Sequence, residues 1–261
     1  MSDTDYEYRG LMAETWDLLR GDTSGWSDRG FYLEFIQKSE NQPVLDVGCG
    51  TGRLLLDYLG EGIDIDGLDN SPEMLEICHQ KSTALGLNPN LYEGWMETLD
   101  LPRKYRTIIV PSLTIQLLPD LSDIAQAMER FFAHLEPGGA LIIPFMVFKS
   151  PDTPSSQSDW KMIAEKERPE DGALLRHWIR AFYDVPNKLQ HTEDRYEILV
   201  DGEVVKSEDH QRSPAVRWYS QDEARALFEK AGFRDIRITK EASLESAALE
   251  DTVFNLVGRK R

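Results

Sequence analysis

The stretch that decides the fold is Val44-Leu45-Asp46-Val47-Gly48-Cys49-Gly50-Thr51-Gly52. Its first four residues form a short, mostly apolar run typical of a buried strand, and three glycines follow at alternate positions. Glycine adopts backbone angles closed to other residues and has no side chain to block a ligand, so this loop can turn sharply with its amides exposed. The stretch predicts a strand followed by a tight, ligand-binding loop.

A second strand with an acidic end follows this glycine loop. Residues 62–69 read Gly-Ile-Asp-Ile-Asp-Gly-Leu-Asp, and they place Asp69 about twenty residues beyond the glycines. That interval separates a cofactor-binding loop from the carboxylate that binds a ribose in one βαβ unit. Ser71 and Pro72 then supply the N-cap and first residue of a helix that is predicted to end near Gly86.

The glycine spacing distinguishes between cofactor classes. A dinucleotide fingerprint has the pattern G-x-G-x-x-G, but counted from Gly48 its third glycine position is Arg53, and Gly52 comes one residue early. The alternating glycines instead resemble the first motif of the class I S-adenosylmethionine-dependent methyltransferases. Residues 67–75, Gly-Leu-Asp-Asn-Ser-Pro-Glu-Met-Leu, resemble the second motif of that family. A lone glycine turn would equally fit an ordinary strand-to-helix connection, and the second motif argues against that reading.

Strand and helix signals alternate along the core, which is the pattern of a parallel sheet covered by helices on both faces. Besides the two strands above, strands are predicted near residues 90–93, 107–111, 140–148, 234–240 and 251–259. Helices are predicted near residues 10–20, 28–38, 71–86, 121–135 and 220–232, the last opened by a capping box of Ser220 and Glu223. The fold class is therefore α/β, with a Rossmann-like, seven-stranded, mostly parallel sheet.

Residues 150–218 depart from this alternation. Residues 150–158 are rich in turn-forming residues and predict a loop. Extended segments near 172–184, 188–200 and 203–218 follow, and Asp201-Gly202 is a favoured two-residue hairpin turn between the last two. These segments predict an antiparallel β lobe inserted into the core.

The resulting organisation is a single domain over residues 1–261 with four parts. They are an N-terminal helical cap at 1–40, a cofactor-binding core at 41–148, the loop and β insertion at 149–218, and the completion of the core at 219–261. The resemblance extends over most of the chain, because the turn Leu135-Glu136-Pro137-Gly138-Gly139 and the end of the chain from Ala231-Gly232-Phe233 also look like those of the family.

The resemblance implies a cofactor and the residues that hold it. The cofactor would be S-adenosylmethionine, with S-adenosylhomocysteine as product, and the methyl acceptor would be N or O of a small molecule. The glycines would pass the methionine part, Asp46 its ammonium, and Asp69 both ribose hydroxyls. The implied cofactor-binding residues are Asp46, Gly48, Gly50, Gly52, Asp69, Asn70, Met74, Trp95, Met96 and Pro111.

One position departs from the family pattern. An acidic residue often follows the glycine after the third strand and accepts the adenine amino group, whereas this chain has Trp95 after Gly94. The contact at the adenine edge would then come from the backbone, from Glu97 or from water. Met74 and Trp95 could equally be ordinary core-filling side chains on amphipathic elements.

Candidate substrate residues lie at the N-terminus and in the insertion. Tyr6, Tyr8 and Trp16 resemble an aromatic segment that folds over the donor in related enzymes, although Trp16 at helical spacing from apolar neighbours also suits a core position. Two further candidates are polar: Gln116, which follows the fourth strand, and Arg212, which could pair with an anionic group.

Histidines are the candidate general bases. His210 is the first choice because imidazole titrates in the useful range, and His177 is the second; a solvated strand histidine is the competing interpretation of His210. His79 and His134 lie on predicted helices and are expected at the surface.

The charge and the cysteine content of the chain limit which other partners and sites are expected. The 261 residues include 29 basic and 46 acidic side chains, a formal net charge of −17 that disfavours nucleic acid and anionic membranes as partners. Two cysteines and no Cys/His cluster predict no metal site, and the acidic start of the chain is unlike a signal peptide. We expect a cytoplasmic monomer or homodimer. An NAD-dependent oxidoreductase and a catalytically silent S-adenosylmethionine-binding or assembly module stay open as alternatives.

Overall fold

The computed structural model describes residues 8–38 and 42–261 of the chain. Six α-helices lie in these residues: α1 (Gly10–Arg20), α2 (Ser27–Lys38), α3 (Leu55–Gly60), α4 (Pro72–Ala84), α5 (Leu121–His134) and α6 (Gln221–Lys230). The strands of the same residues are β1 (Val44–Val47), β2 (Ile65–Asp69), β3 (Asn90–Glu93), β4 (Tyr105–Ile109), β5 (Leu135–Met146), β6 (Ser156–Gln157), β7 (Lys161–Glu167), β8 (Leu174–Asp184), β9 (Leu189–Val200), β10 (Glu203–Arg217), β11 (Arg234–Lys240) and β12 (Val253–Arg259).

The described chain divides into two compact units. The smaller unit comprises the described residues up to Thr23 together with Lys149–Arg217, and the larger unit comprises Ser24–Phe148 with Trp218–Arg261. Helices α1 and α2, which the sequence analysis grouped in one N-terminal cap, therefore fall in different units. The single-domain organisation stays a prediction.

The larger unit is built on a seven-stranded sheet with the order β11-β12-β5-β4-β1-β2-β3. Strand β12 runs antiparallel to both of its neighbours, and the pairs from β5 to β3 are parallel. The two faces of the sheet carry separate apolar cores, one with Phe131 and Phe228 and the other with Phe35, Leu55 and Cys78. The predicted Rossmann-like, mostly parallel sheet is confirmed.

Strand β1 is the point at which the strand order reverses. Strands β2 and β3 continue on one side of it, whereas β4 and β5 lie on the other side. Ligands of open α/β sheets bind beyond the carboxyl ends of the strands at such a switch point. The glycine loop that follows β1 lies at this place.

The helix starts follow their capping residues. The Ser71 hydroxyl accepts a hydrogen bond from the Met74 amide (3.1 Å), and Pro72 opens α4. Ser220 and Glu223 form both bonds of the predicted capping box of α6.

The expectation that His134 lies at the surface is wrong. His134 is buried at the end of α5, and its Nε2 accepts a hydrogen bond from the Leu101 amide (3.0 Å).

The smaller unit contains an antiparallel sheet in the order β10-β9-β8-β6, with β7 paired to β8. Asp201 and Gly202 both have positive φ, as a type I′ hairpin turn requires, so the predicted turn between β9 and β10 is confirmed. Strand β7 was not predicted, and β6 lies within the predicted loop. Helix α1 buries Leu11 and Met12 in a core with Tyr196 and residues of β8 and β9.

Candidate functional site

The glycine loop after β1 has the backbone that its sequence predicts. Gly48, Gly50 and Gly52 have φ of 72°, 53° and 86°, in the left-handed region that favours glycine. A Cβ on Gly48 would lie 2.4 Å from Thr114 Cγ2, whereas a Cβ on Gly50 would meet only the Met74 methyl at 3.8 Å. Gly48 is therefore required by packing, and Gly50 leaves space beside the loop.

Asp69 joins the loop to the end of β2. Its Oδ2 accepts a hydrogen bond from the Gly50 amide (2.8 Å), and its Oδ1 accepts one from the Ser71 amide (2.9 Å). Burial raises the pKa of this carboxyl, and the hydrogen bonds from backbone amides oppose that shift. Each carboxylate oxygen has a second lone pair, so Asp69 can accept two further bonds from a ligand.

Asp46 is the unusual acid of the site. Its side chain is 2% exposed, and Oδ1 has no hydrogen-bond partner among the described residues. Burial raises the pKa of Asp46 to about 7, although the positive charge of Arg53 opposes the shift. A buried acceptor without a partner costs free energy, so Asp46 is suited to receive a donor from a ligand.

Arg53 fixes the loop from its other side. Its guanidinium donates to both carboxylate oxygens of Asp28 (3.0 and 2.6 Å), at the start of α2. The bidentate pair attaches the loop to a helix and places a positive charge near Asp46. In the sequence Arg53 served only to exclude a dinucleotide fingerprint, and this support of the loop was not predicted.

The turn after β3 also reaches the site. The Gly94 amide donates to the carbonyl of Asp69 (3.0 Å), so this turn starts beside the end of β2. Trp95 is exposed, and Met96 packs partly against the core. Glu97 Oε2 is buried without a hydrogen-bond partner among the described residues, and burial raises the pKa of Glu97. This acceptor fits the role proposed for Glu97 at an adenine edge.

Asn70 and Met74 lie on the connection between β2 and α4. Asn70 is half-buried directly after Asp69, and Met74 is buried with its terminal methyl close to Gly50. Both are therefore beside the glycine loop. Their contacts with a cofactor stay a prediction.

The segment after β4 packs against the same loop. Ser112 and Leu113 have φ of 55° and 64°, which is unusual for residues with a side chain. The Pro111 carbonyl accepts hydrogen bonds from the amide and hydroxyl of Thr114 (3.0 and 2.6 Å), and this turn presses Thr114 against Gly48. Strained backbone of this kind is found at ligand-binding sites. No pattern in the sequence predicted this backbone conformation.

Gln116 has a structural use in the larger unit. Its Nε2 donates to the Met146 carbonyl (3.1 Å), and its Oε1 accepts from the Met146 amide (2.7 Å). The buried amide therefore joins the segment after β4 to the end of β5. Its role in substrate binding stays a prediction.

The other predicted substrate residues lie in the smaller unit. The Tyr8 and Trp16 rings pack edge to face with centroids 5.0 Å apart, and the Arg20 guanidinium lies 4.7 Å from the Trp16 centroid. Tyr6 lies outside the described residues. The competing interpretation of Trp16, a packed side chain on α1, agrees with these contacts.

His210 is buried on β10 and not solvated, against the competing interpretation of its sequence. Its ring meets Tyr196 edge to face, with centroids 5.6 Å apart, and its Nε2 lies 2.9 Å from Glu208 Oε1. Burial lowers the pKa of His210, while the charge of Glu208 opposes the shift. The imidazole is therefore neutral near pH 7, in the form that can accept a proton.

Asp194 is a site candidate that the sequence analysis missed. Its buried carboxylate accepts hydrogen bonds from His177 Nε2 (2.8 Å) and Arg212 Nη2 (3.2 Å). Burial would raise the pKa of Asp194, but the bond from His177 and the charge of Arg212 outweigh it and the pKa is lowered. The period-2 pattern of β9 was a usable signal, because Asp194 shares a face with Tyr196 and Ile198.

Comparisons with known proteins agree with this geometry. Residues 44–139 match a family described as a methyltransferase domain. Residues 44–139 are therefore similar to a methyltransferase domain, in agreement with the class I S-adenosylmethionine-dependent methyltransferases that the two sequence motifs resemble. The matched residues include the glycine loop, Asp69, the turn after β3 and the segment after β4.

Two relatives and one solved structure illustrate the similarity. The dTDP-3-amino-3,6-dideoxy-alpha-D-glucopyranose N,N-dimethyltransferase of Streptomyces fradiae is 29% identical over 157 residues, which cover 57% of this chain and 58% of the relative. The dTDP-3-amino-3,4,6-trideoxy-alpha-D-glucopyranose N,N-dimethyltransferase of Streptomyces venezuelae is 30% identical over 104 residues, 40% of this chain and 42% of the relative. The chain thus spans about half the length of these curated relatives. An S-adenosylmethionine-dependent methyltransferase from Clostridium acetobutylicum has the same fold, with a TM-score of 0.74 and 18% identity over 95% of this chain and 96% of that one.

The residues around the glycine loop fit S-adenosylmethionine. The Asp46 oxygen that lacks a partner within residues 8–38 and 42–261 suits the ammonium of the methionine part, and the remaining lone pairs of Asp69 suit two ribose hydroxyls. The space beside Gly50 admits the part of the cofactor that lies between its ammonium and its ribose. The identity of the cofactor therefore agrees with the unsatisfied groups of the site.

The raised pKa of Asp46 predicts how donor binding depends on pH. An ionised carboxylate is needed to attract the ammonium, and its population falls about tenfold for each pH unit below a pKa of about 7. We expect the affinity for S-adenosylmethionine to fall correspondingly between pH 7 and pH 5.5 in calorimetric titrations. Asp46→Asn should bind more weakly at pH 7 and show little pH dependence. An equal slope in the variant would contradict the assignment.

The same shift has a consequence for stability. Since folding raises the pKa of Asp46 from 3.8 to about 7, protonation of Asp46 stabilises the fold fully below pH 3.8, and this contribution is lost as the pH rises through 7. The cofactor-free Asp46→Asn variant should therefore gain stability relative to the wild type as the pH rises from 4 to 8.

Two glycine substitutions should separate packing from ligand space. Gly48→Ala combines left-handed strain with a contact of 2.4 Å to Thr114, and we expect the free energy of unfolding to fall by about 2 kcal/mol. Gly50→Ala introduces only the left-handed strain and should lower the free energy of unfolding by about 1 kcal/mol. Its methyl group enters the ligand space, however, and should weaken donor binding at least tenfold. Urea unfolding and calorimetry measure the two effects. Equal losses of stability would contradict the packing argument.

Proposed function

We propose that this protein transfers the methyl group of S-adenosylmethionine to a nitrogen or oxygen atom of a small molecule, with the amino group of a sugar as the leading acceptor. The observation that carries the proposal is the glycine loop, flanked by the Asp69 carboxylate and by an Asp46 oxygen that has no partner in the described part of the chain. The two curated relatives are named as N,N-dimethyltransferases of dTDP-linked amino sugars, which favours nitrogen.

The main contribution that the reaction requires from the protein is the orientation of the methyl donor relative to the acceptor. Bound S-adenosylmethionine supplies a methyl group that its sulfonium already activates for in-line displacement. Asp46 and Asp69 would fix the two ends of the donor, and the bond from Gly50 to Asp69 holds the loop in one shape. Fixed geometry of this kind replaces an improbable encounter and contributes strongly to the rate.

His210 stays the predicted base for an acceptor that begins protonated. The depressed pKa keeps its imidazole neutral, and Glu208 beside it would stabilise the imidazolium that forms. A structural role competes with this one, because Glu208 Oε2 also accepts a hydrogen bond from the Leu11 amide in α1 (2.9 Å).

A substitution of His210 tests the two roles. His210→Gln keeps a polar side chain, and we expect kcat with an amino-sugar acceptor to fall at least tenfold while donor affinity stays within twofold. His191→Gln is the matched control, since His191 is on the neighbouring strand with its Nδ1 near the Ser213 hydroxyl (2.8 Å). Unchanged kcat in His210→Gln would remove the histidine from catalysis.

The proposed function is tested by binding and then by turnover. Calorimetric titration with S-adenosylmethionine, S-adenosylhomocysteine and NAD should give micromolar binding of the first two and none of NAD. Mass spectrometry should then detect methylated dTDP-3-amino-3,6-dideoxyglucose when it is supplied as acceptor. Binding of NAD alone would support the oxidoreductase alternative, and donor binding without turnover on amines or hydroxyls would support the silent module.

The remaining expectations concern partners and location. No helix in the described residues has the length and apolarity needed to cross a bilayer. Four expectations stay predictions: the small-molecule substrate, the absence of nucleic acid as a partner, the cytoplasmic location and the monomeric or homodimeric state.

A further inference from the structure

A cavity of about 140 Å³ lies at the β11 edge of the seven-stranded sheet, which is the edge opposite β3. It is lined by residues of α2, β11 and β12 and by Leu244 of the connection between the two strands. Strand β11 is four strands from β1, about 19 Å at the usual strand spacing, so this cavity is separate from the glycine loop. An apolar cavity of about this volume accommodates a benzene ring, so the space suits a small organic molecule.

The charge of the cavity opposes that of the protein. Lys38, Arg237 and Arg259 line it, whereas the chain as a whole carries a net charge of −17. The one carboxylate in the lining, Asp235, is already paired with Arg261 through two bonds (2.8 and 3.3 Å). The lining therefore keeps an excess of positive charge.

Two polar groups of the lining have no hydrogen-bond partner among the described residues. The Thr239 hydroxyl is buried, with the side chain 2% exposed, and forms no hydrogen bond to any described residue. The Arg237 guanidinium likewise has neither a hydrogen bond nor an ion pair within residues 8–38 and 42–261. The Arg259 guanidinium donates a hydrogen bond to the Gly138 carbonyl (3.0 Å), and the Lys38 ammonium forms an ion pair with the Glu34 carboxylate. Buried polar groups normally have partners, so the Thr239 hydroxyl is suited to bind a ligand, and the exposed Arg237 guanidinium is accessible to one.

Apolar groups complete the lining. Phe35 and Leu244 line the cavity, and the Arg259 guanidinium lies 5.8 Å from the Phe35 ring centroid. We propose that this cavity is a binding site for a small organic oxyanion, a carboxylate or phosphate that carries an aromatic or aliphatic group. The oxyanion would accept hydrogen bonds from Arg237 and Thr239, and the apolar part would lie against Phe35 and Leu244.

Phenyl phosphate is a suitable probe because it joins an oxyanion to a ring. Calorimetric titration at low ionic strength should show saturable binding with a Kd below about 1 mM, and neutral benzyl alcohol should not bind. Arg237→Gln should weaken the binding of phenyl phosphate at least tenfold. Arg234→Gln is the matched control on the same strand, because the Arg234 guanidinium donates to the Phe233 carbonyl, and its affinity should stay within twofold.

Thr239→Val tests the hydroxyl by a different measurement. Since the Thr239 hydroxyl forms no hydrogen bond to a described residue, the free energy of unfolding should stay equal or rise, while affinity for phenyl phosphate falls. The proposal is overturned by absence of saturable binding, by equal binding of benzyl alcohol, by equal affinities of the two arginine variants, or by a loss of stability in Thr239→Val. The affinity of Arg237→Gln for S-adenosylmethionine should equal that of the wild type, which keeps this test independent of the proposed function.

Discussion

Replacement of Asp69 by alanine should weaken the binding of S-adenosylmethionine by about 30- to 150-fold. The carboxylate can accept bonds from both ribose hydroxyls, and loss of hydrogen bonds to a charged group costs on the order of 2–3 kcal/mol. The substitution also removes the acceptors of the Gly50 and Ser71 amides, which hold the glycine loop at the end of β2. Both consequences lower affinity, so the experiment has to distinguish them.

A comparison of two ligands separates the ribose contact from the support of the loop. Wild-type protein should bind S-adenosylhomocysteine much more tightly than an analogue without the two ribose hydroxyls, and Asp69→Ala should bind both ligands with similar affinity. Asp64→Ala removes an exposed carboxylate just before the same strand, paired with Arg103, and should change neither affinity beyond twofold. If Asp69→Ala kept the full preference for the hydroxylated ligand, the ribose assignment would be wrong.

The central sheet could be predicted because its strands are short apolar runs bounded by turn residues. Strands buried on both faces need such runs, and β1, β2 and β4 are buried along most of their length. The cofactor residues followed from the glycine spacing and the position of Asp69. The sequence could not show that an oxygen of Asp46 has no partner among the residues that the structure describes, since that depends on the packing of β1 between β2 and β4.

Strand β7 escaped prediction for a physical reason. All but one of its residues are exposed, and its backbone pairs with β8 alone. An edge strand with both faces in water has no alternation of apolar and polar residues, which is the signal that identifies strands. The sequence could therefore predict the long strands β8 to β10 but not this shorter neighbour.

The burial of His134 also lay beyond the sequence pattern. Its position in the last turn of α5 suggests exposure, yet both ring nitrogens find partners, the Leu101 amide and the Arg130 carbonyl (3.0 and 2.8 Å). A polar ring can be buried at little cost once both nitrogens are bonded. The Arg130 carbonyl lies one turn earlier in α5, but the Leu101 amide is 33 residues away in sequence, so only the folded chain reveals this second partner.

Substitution of Asp194 by alanine should lower the free energy of unfolding by about 3 kcal/mol. Removal of one partner of a buried ion pair leaves the other charge uncompensated, and that loss is typically 3–5 kcal/mol. Here Arg212 and His177 keep some access to water, with side chains 21% and 16% exposed, so the lower end applies. The pKa of Asp194 is lowered, so its contribution is present above pH 3.8 and is lost as the pH falls through the lowered value.

Urea unfolding at pH 7, followed by tryptophan fluorescence, measures this effect because Trp178 lies on the neighbouring strand β8 and pairs with Glu197 (2.9 Å). Asp209→Ala is the matched control, since Asp209 forms a similar pair with Arg195 but is exposed, and exposed pairs contribute less than about 1 kcal/mol. Asp194→Asn keeps the shape and an acceptor and should lose less than the alanine variant. Equal losses for Asp194→Ala and Asp209→Ala would show that burial does not decide the strength of this pair, and Arg212 would then not depend on Asp194 for its position.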